Sequence, residues 1–450
     1  MDKFNLMAIS PIDGRYISAT EPLKNYFSEF ALIKARLAVE IEYFIALSYL
    51  QLPHLPQTGK DNILRKIYSE FVYKDALRIK EIENITNHDV KAIEYYLKEK
   101  FDIIGLKKYR EFVHFGLTSQ DINNTAIPLL LKKCIEEIII PTFYELINKI
   151  NYLSMQWRNI SMLARTHGQP ATPTTMGKEM KIFAYRLENQ LNKLKNIDYS
   201  AKFGGATGNF NAHIIAYPNV DWEKFADNFI FETFQLKRLK YTTQIDNYDH
   251  LAELFDCLSR LNTILINFSR DIWLYIMQGY FKQYKSDTEI GSSTMPHKIN
   301  PIDFENAEGN LLLANSLFKF MSQKLPISRL QRDLSDSTVI RNIGVPLSHI
   351  LIALSSISKG LSKLIIDEDK IAFELENHWE VITEAIQTIL RREGFSEPYE
   401  KLNHFIRKNN HITKKDIHKF IDDLQLPDNI KTELKNISPS NYIGIANKIS

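Results

Sequence analysis

The densest chemistry in the chain lies in Gly291-Ser292-Ser293-Thr294-Met295-Pro296-His297-Lys298-Ile299-Asn300-Pro301, a run of small residues with two prolines, a lysine and an asparagine. Lys298 and Asn300 can bind a carboxylate, and so can the start of the helix that follows. A polar loop ending in a helix cap accounts for the same residues. His167 stands between Arg165-Thr166 and Gly168-Gln169-Pro170, where glycine and proline fix the backbone at a bend. Imidazoles in general can exchange a proton near neutrality, so one held there suits a general acid or base, or a structural hydrogen bond. Thr86-Asn87-His88-Asp89 and Thr118-Ser119-Gln120-Asp121 both read as helix starts, with Thr86 and Thr118 as caps and an acid three positions on. Capping leaves His88 unexplained, and the hydroxyls and free amides after Thr118 can hold an anion. Arg329, Arg332 and Arg341, with Ser328, Ser337 and Thr338, place paired donors for carboxylate or phosphate close together, or form a solvated helix face.

Other chemistries lack their signatures. The cluster Gly204-Gly205-Ala206-Thr207-Gly208-Asn209 follows no recognisable strand, so it is not a dinucleotide fingerprint. The histidines are scattered, no cysteine pair has zinc spacing, and neither a nucleophile elbow nor a phosphate loop is present, so no metal site is expected.

The elements that position these segments are helices. Glycine and proline number 16 each, below the usual ~7% and ~5%, which implies long uninterrupted elements. The longest gap without either runs from Pro218 to Gly279. Within it Leu254, Leu258, Leu261, Leu265, Phe268, Ile272 and Tyr275 form a heptad seam lasting about three heptads. Phe255, Ile264 and Trp273 lie on other faces, so this helix packs inside one bundle or in a bundle shared between subunits. Further helical stretches cover about 123–157, 177–194, 302–323 and 338–364, with Pro141 expected to kink or divide the first. The pattern gives an all-α chain in three parts: an N-terminal helical domain over 1–110, a central helical bundle over 111–365 and a C-terminal helical domain over 366–450.

Composition sets limits on partners and place. The chain has 450 residues, 44% apolar and 24% charged, with a formal charge of +2, so no basic field points to nucleic acid or anionic membrane. Nowhere do about 18 apolar residues run without a charge, so no membrane partner is expected. The two cysteines, Cys134 and Cys257, sit in apolar helical patterns and fit a reducing compartment. The start of the chain carries no signal-peptide pattern, and a cytoplasmic location is expected.

Taken together and in this order, the segments resemble the fumarase/aspartase superfamily. Residues 291–301 match its GSSxMPxKxNP signature at every fixed position. Thr294, His297, 165–170, 86–89, Ser10-Pro11-Ile12-Asp13-Gly14-Arg15-Tyr16 and Tyr241-Thr242-Thr243-Gln244 are similar to the adenylosuccinate lyase branch. The resemblance extends over essentially the whole chain. His297 and 87–89 favour that branch over argininosuccinate lyase, aspartase or fumarase. The joint presence of Ser292, Lys298, Asn300 and His167 argues against a non-catalytic helical structural protein.

The resemblance implies a three-domain all-α subunit whose central helices form the core of a homotetramer, with active sites drawn from more than one subunit. It implies a succinylated purine nucleotide as substrate, no cofactor, and β-elimination releasing fumarate. Ser292 is then the base, His167 the acid that protonates the leaving nitrogen, and His88 an assistant that orients His167 or binds substrate. Lys298 and Asn300 stabilise the developing dianion. Arg15, Arg332 and Arg341, with Ser337, Thr118 and Ser119, neutralise phosphate and carboxylates, and Gln244 positions the succinyl group. Tyr16, Asn87 and Asp89 complete the implied substrate contacts.

Overall fold

A computed structural model describes residues 6–284, 295, 297–408 and 411–449. Its long helices are Glu29–Tyr49, Asp89–Ile103, Ser119–Cys134, Ile140–Gln156, Met176–Lys195, Asp249–Met277, Ile302–Lys324 and Gly344–Lys363. The strands described form three two-stranded ribbons. The protein is therefore all-α, as its patterning requires. The chain folds into two compact units, one of 1–143, 190–263 and 309–355, the other of 144–189, 264–308 and 356–450.

The heptad seam is real. Leu254, Leu258, Leu261, Leu265, Phe268 and Ile272 are all buried in the Asp249–Met277 helix, whereas Trp273 is exposed. The gap from 218 to 279 is nevertheless not one element. A separate helix, Trp222–Phe234, stops where Gln235 turns left-handed at φ 55°, and Tyr248 takes φ 61° just before the long helix. These are backbone positions normally given to glycine, so counting glycines hides the break. Between them Lys237–Arg238 pairs in parallel with Ser200–Ala201. Pro141 does not end its helix either. A turn of wider π winding, Ile135–Ile139, precedes it, and the chain remains helical on both sides. The stretch at 338–364 resolves into Ser335–Ile340 and Gly344–Lys363, with Pro346 in the first turn of the second helix, where its missing N–H costs nothing. Together they are long and apolar enough to cross a membrane, but 67% of the apolar window is buried within the protein, as in a core helix.

In the first unit the Glu29–Tyr49 helix is apolar on nearly every side and packs in the core. It also buries three charges, and each has a partner, as burial demands. Arg36 meets Asp89 at 2.8 Å, Glu40 meets His114 at 2.5 Å, and Glu42 accepts both Arg65 donors at 2.8 Å.

In the second unit Ser161–Thr166 and Gln169–Thr175 form an antiparallel hairpin. Its two-residue turn is His167 at φ 53° and Gly168 at φ 76°, the positive angles a tight primed turn demands. The sequence points to a pinned bend here but not to strands. The hairpin leads into the Met176–Lys195 helix through Gly177, whose amide donates to the Trp157 carbonyl at 3.0 Å. A Cβ on Gly177 would lie 2.3 Å from the Ser154 carbonyl oxygen and 2.6 Å from the Arg158 backbone, neither of which can rotate away. Gly177→Ala is expected to destabilise the protein by about 1–3 kcal/mol, read from the urea midpoint at unchanged slope.

Candidate active site

The Thr86–Asp89 segment is a tight junction between helices. Asn87 ends the Tyr73–Thr86 helix in the left-handed conformation, φ 53° and ψ 34°, with its amide on the Glu83 carbonyl at 2.7 Å. His88 is then extended and caps the next helix, its Nδ1 accepting from the Lys91 amide at 3.0 Å. Thr86, the expected cap, is the last residue of the preceding helix instead. Capping through Nδ1 fixes the neutral ring as the Nε2–H tautomer, so the outer nitrogen of His88 is a hydrogen-bond donor. Asp89 follows as the first helical residue, where a carboxylate is favoured.

Asp89 is engaged on several sides. Its Oδ2 accepts from Arg36 Nη2 at 2.8 Å and from Arg341 Nη2 at 3.0 Å, while Oδ1 accepts from the Val90 amide at 2.8 Å. Burial pushes this carboxyl up, but Arg36, the Val90 amide and Arg341 outweigh it and hold the group below the ordinary carboxylate range. The stability this supplies is complete above the unfolded carboxyl's pKa of about 3.9 and is lost as acid titrates the group below it.

The second expected cap is present. Thr118 precedes the Ser119–Cys134 helix, and Asp121 Oδ2 accepts from the Thr118 amide at 2.8 Å. Asp121 is fully buried, and its Oδ1 accepts from Lys202 Nζ at 2.7 Å and from the Gly204 and Gly205 amides at 2.8 and 3.1 Å. The glycine cluster thus wraps a side chain of the protein itself. Gly208 lies against the Thr242 carbonyl, where an added Cβ would approach to 2.7 Å.

These pieces meet at a cavity of about 340 Å³ within the first unit. Of the residues expected to bind substrate, Asn87, His88, Asp89, Ser119, Arg332, Ser337 and Arg341 line it. Arg332 donates to Gln244 Oε1 and Ser337 Oγ, each at 3.1 Å, and its Nε lies 3.9 Å from Asp336 Oδ1. Asp336 is buried and accepts from the Tyr248 hydroxyl at 2.9 Å, which in turn accepts from Asn124 Nδ2 at 3.0 Å. Gln244 therefore positions Arg332 in this structure. Thr118 and Gln244 stand behind the lining, and Arg15 and Tyr16 lie outside it, with the Arg15 guanidinium 5.8 Å from the Tyr16 ring centre.

Sequence patterns do not mark Arg36, Tyr248 and Asp336, which also line the cavity. Arg36 was legible in principle, as an arginine on the apolar face of a helix that needs a counter-charge. Glu83 is tied to Lys80 at 2.7 Å, so Arg36, Arg332 and Arg341 outnumber the remaining carboxylates of Asp89 and Asp336. The cavity is net cationic and suits an anionic ligand.

The other expected residues belong to the second unit. His167 is exposed at the hairpin tip, and the neighbouring Arg165 is paired with Glu374. Lys298 is exposed and Asn300 half-buried. Asp303 and Glu305 occupy the first turn of the helix that follows, where Asp303 faces Lys363 at 3.1 Å and Glu305 accepts from Trp273 at 3.1 Å. Ser292, the expected base, lies outside the described residues.

Residues 14–314 match the family described as Lyase, and residues 328–443 match the one described as Adenylosuccinate lyase C-terminal. An adenylosuccinate lyase of Dictyostelium discoideum is 55% identical over 98% of this chain and 97% of its own length. Those of Vibrio cholerae and Escherichia coli are 50% and 48% identical, each over 99% of this chain and 98% of the relative. The chain belongs to the adenylosuccinate lyase family. It is a lyase. Among solved structures, a fumarate lyase from Mesorhizobium sp. BNC1 superposes with a TM-score of 0.77 at 16% identity, covering 95% of this chain and 96% of the other. A 3-carboxy-cis,cis-muconate lactonizing enzyme from Pseudomonas putida gives 0.73 at 18%, covering 97% of each. These two likenesses concern the fold alone, and they agree with the fumarase/aspartase architecture expected of this family.

The cap makes a separable prediction for His88. His88→Ala should cost about 1 kcal/mol of stability, and His88→Asn should recover most of it, since asparagine is a good cap. Chemical unfolding of the two variants checks this.

Proposed function

We propose that this lyase splits adenylosuccinate into AMP and fumarate, and the succinylated aminoimidazole carboxamide ribotide into its carboxamide ribotide and fumarate. The observation that carries the reading is a sequence about half identical to named adenylosuccinate lyases along nearly its whole length. The cationic cavity supports it independently, since each substrate carries a phosphate and two carboxylates. Arg332, Ser337 and Arg341 offer donors to the phosphate, with Arg15, Tyr16, Thr118 and Ser119 approaching from the flanking segments. The Nε2–H of His88, with Asn87 and Asp89, meets the nucleoside.

In the chemical step Ser292 removes the proton next to a succinyl carboxylate. The charge spreads into that carboxylate, which Lys298 and Asn300 stabilise. His167 then protonates the departing nitrogen. Gln244 reaches the succinyl group or acts through Arg332.

The subunit divides functionally at 1–110, 111–365 and 366–450, and four copies associate through the central helices. Large apolar side chains exposed on these helices support that assembly: Tyr152, Tyr185, Met277, Leu312, Leu313 and Phe320. Active sites shared between copies follow from it, in a cytoplasmic enzyme without cofactor, nucleic-acid or membrane partner.

The decisive assay incubates purified protein with adenylosuccinate and follows AMP and fumarate. Absence of both, with turnover of argininosuccinate or aspartate instead, would transfer the chain to another branch. Ser292→Ala and His167→Ala should keep fold and assembly while kcat falls by about 10²–10⁴, typical of a lost acid or base. Near-parental turnover in either variant removes that residue from its role.

A further inference from the structure

Arg36 lines the candidate cavity, yet it cannot reach a ligand as Arg332 or Arg341 can. Its side chain is only 3% exposed, against 49% for Arg341. It is gripped on two sides, donating through Nε to Asn123 Oδ1 at 2.8 Å and through Nη2 to Asp89 Oδ2 at 2.8 Å. Asn123 is itself buried in the Ser119–Cys134 helix. Arg341 donates to that same Asp89 oxygen at 3.0 Å. One carboxylate oxygen is thus shared by a fixed guanidinium and a half-exposed one.

We propose that Arg36 is a positioning residue of this site. By occupying the shared oxygen of Asp89, it limits the hold of Asp89 on Arg341 and leaves Arg341 available to an anionic group of the ligand. The effect is electrostatic. With Arg36 in place, the negative charge of Asp89 is already matched, and the two guanidinium groups repel each other. Without the Arg36 charge, Asp89 becomes a largely buried carboxylate whose nearest cation is Arg341. Such a carboxylate binds its remaining partner tightly, because the alternative is an unpaired charge. Arg341 would then be withdrawn from the ligand. The role is one of availability and leaves the chemistry of the elimination untouched.

The test rests on the proposed cleavage of adenylosuccinate, and parental turnover of that compound checks the reading separately. If the parent enzyme turns over, Arg36→Met should raise KM by about tenfold or more, with kcat within about threefold, and should weaken AMP binding by a similar factor in calorimetry. Arg36→Lys keeps the charge but loses the fork to Asn123, and its KM should stay within about threefold of the parent. A folded Arg36→Met enzyme with KM within about twofold of the parent overturns the proposal. An Arg36→Lys enzyme whose KM rises as far as that of Arg36→Met does the same, because it places the effect in the fork to Asn123 and the fold instead of the charge. Should Arg36→Met fail to fold, Arg36→Lys decides alone, and a rise in its KM of about tenfold or more counts against the charge mechanism.

Discussion

The site's order traces to one buried carboxylate. Asp121 holds the Thr118 amide, the Lys202 ammonium and the Gly204 and Gly205 amides at once, with both ion-pair side chains fully excluded from solvent. Separated segments of chain are thereby fixed to a single point. A buried pair of this kind adds little net stability over an apolar substitute, but removing one partner alone costs about 3–5 kcal/mol. Its value lies in specifying position. The glycine cluster is held by Asp121 and in turn packs against Thr242, where only a glycine at 208 permits the approach. Two residues on, Gln244 accepts from Arg332, which also donates to Ser337. A constraint that begins in the core thus ends at a side chain facing the cavity.

The same economy shapes the other wall. The junction between the Tyr73–Thr86 and Asp89–Ile103 helices satisfies its own backbone with Asn87 and His88, and sets an imidazole and a carboxylate among the residues lining the cavity. The Asp89 carboxylate is then divided between two arginines. The cavity is cationic without holding an unpaired buried charge, a condition that suits a phosphate arriving from water.

Much of this was legible in the sequence. The heptad seam, the cap at Thr118 and the serine-arginine segment all fall where their patterns indicate, because hydrophobic periodicity and capping are local properties. The glycine-poor interval misled, because Gln235 and Tyr248 adopt left-handed backbone without glycine. The hairpin carrying His167 escaped, because Pro170 and Pro173 interrupt the pattern of its second strand, Gln169–Thr175. Capping chemistry was recognised at 86–89 but assigned to Thr86, since a histidine is an unusual cap. The partner of Arg36 and the Asp121–Lys202 pairing were out of reach for a different reason. Each joins residues 53 or more positions apart, and no local pattern records a partner at that distance.

Order spreads from Asp121 to the cavity wall, and amide hydrogen exchange of an Asp121→Asn variant, compared with the parent segment by segment, tests this most directly. The expected result is a joint loss of protection at 118–121, 202–208 and 242–244, with the remainder of the protein little changed. Loss confined to 118–121, with 242–244 as protected as in the parent, would contradict it.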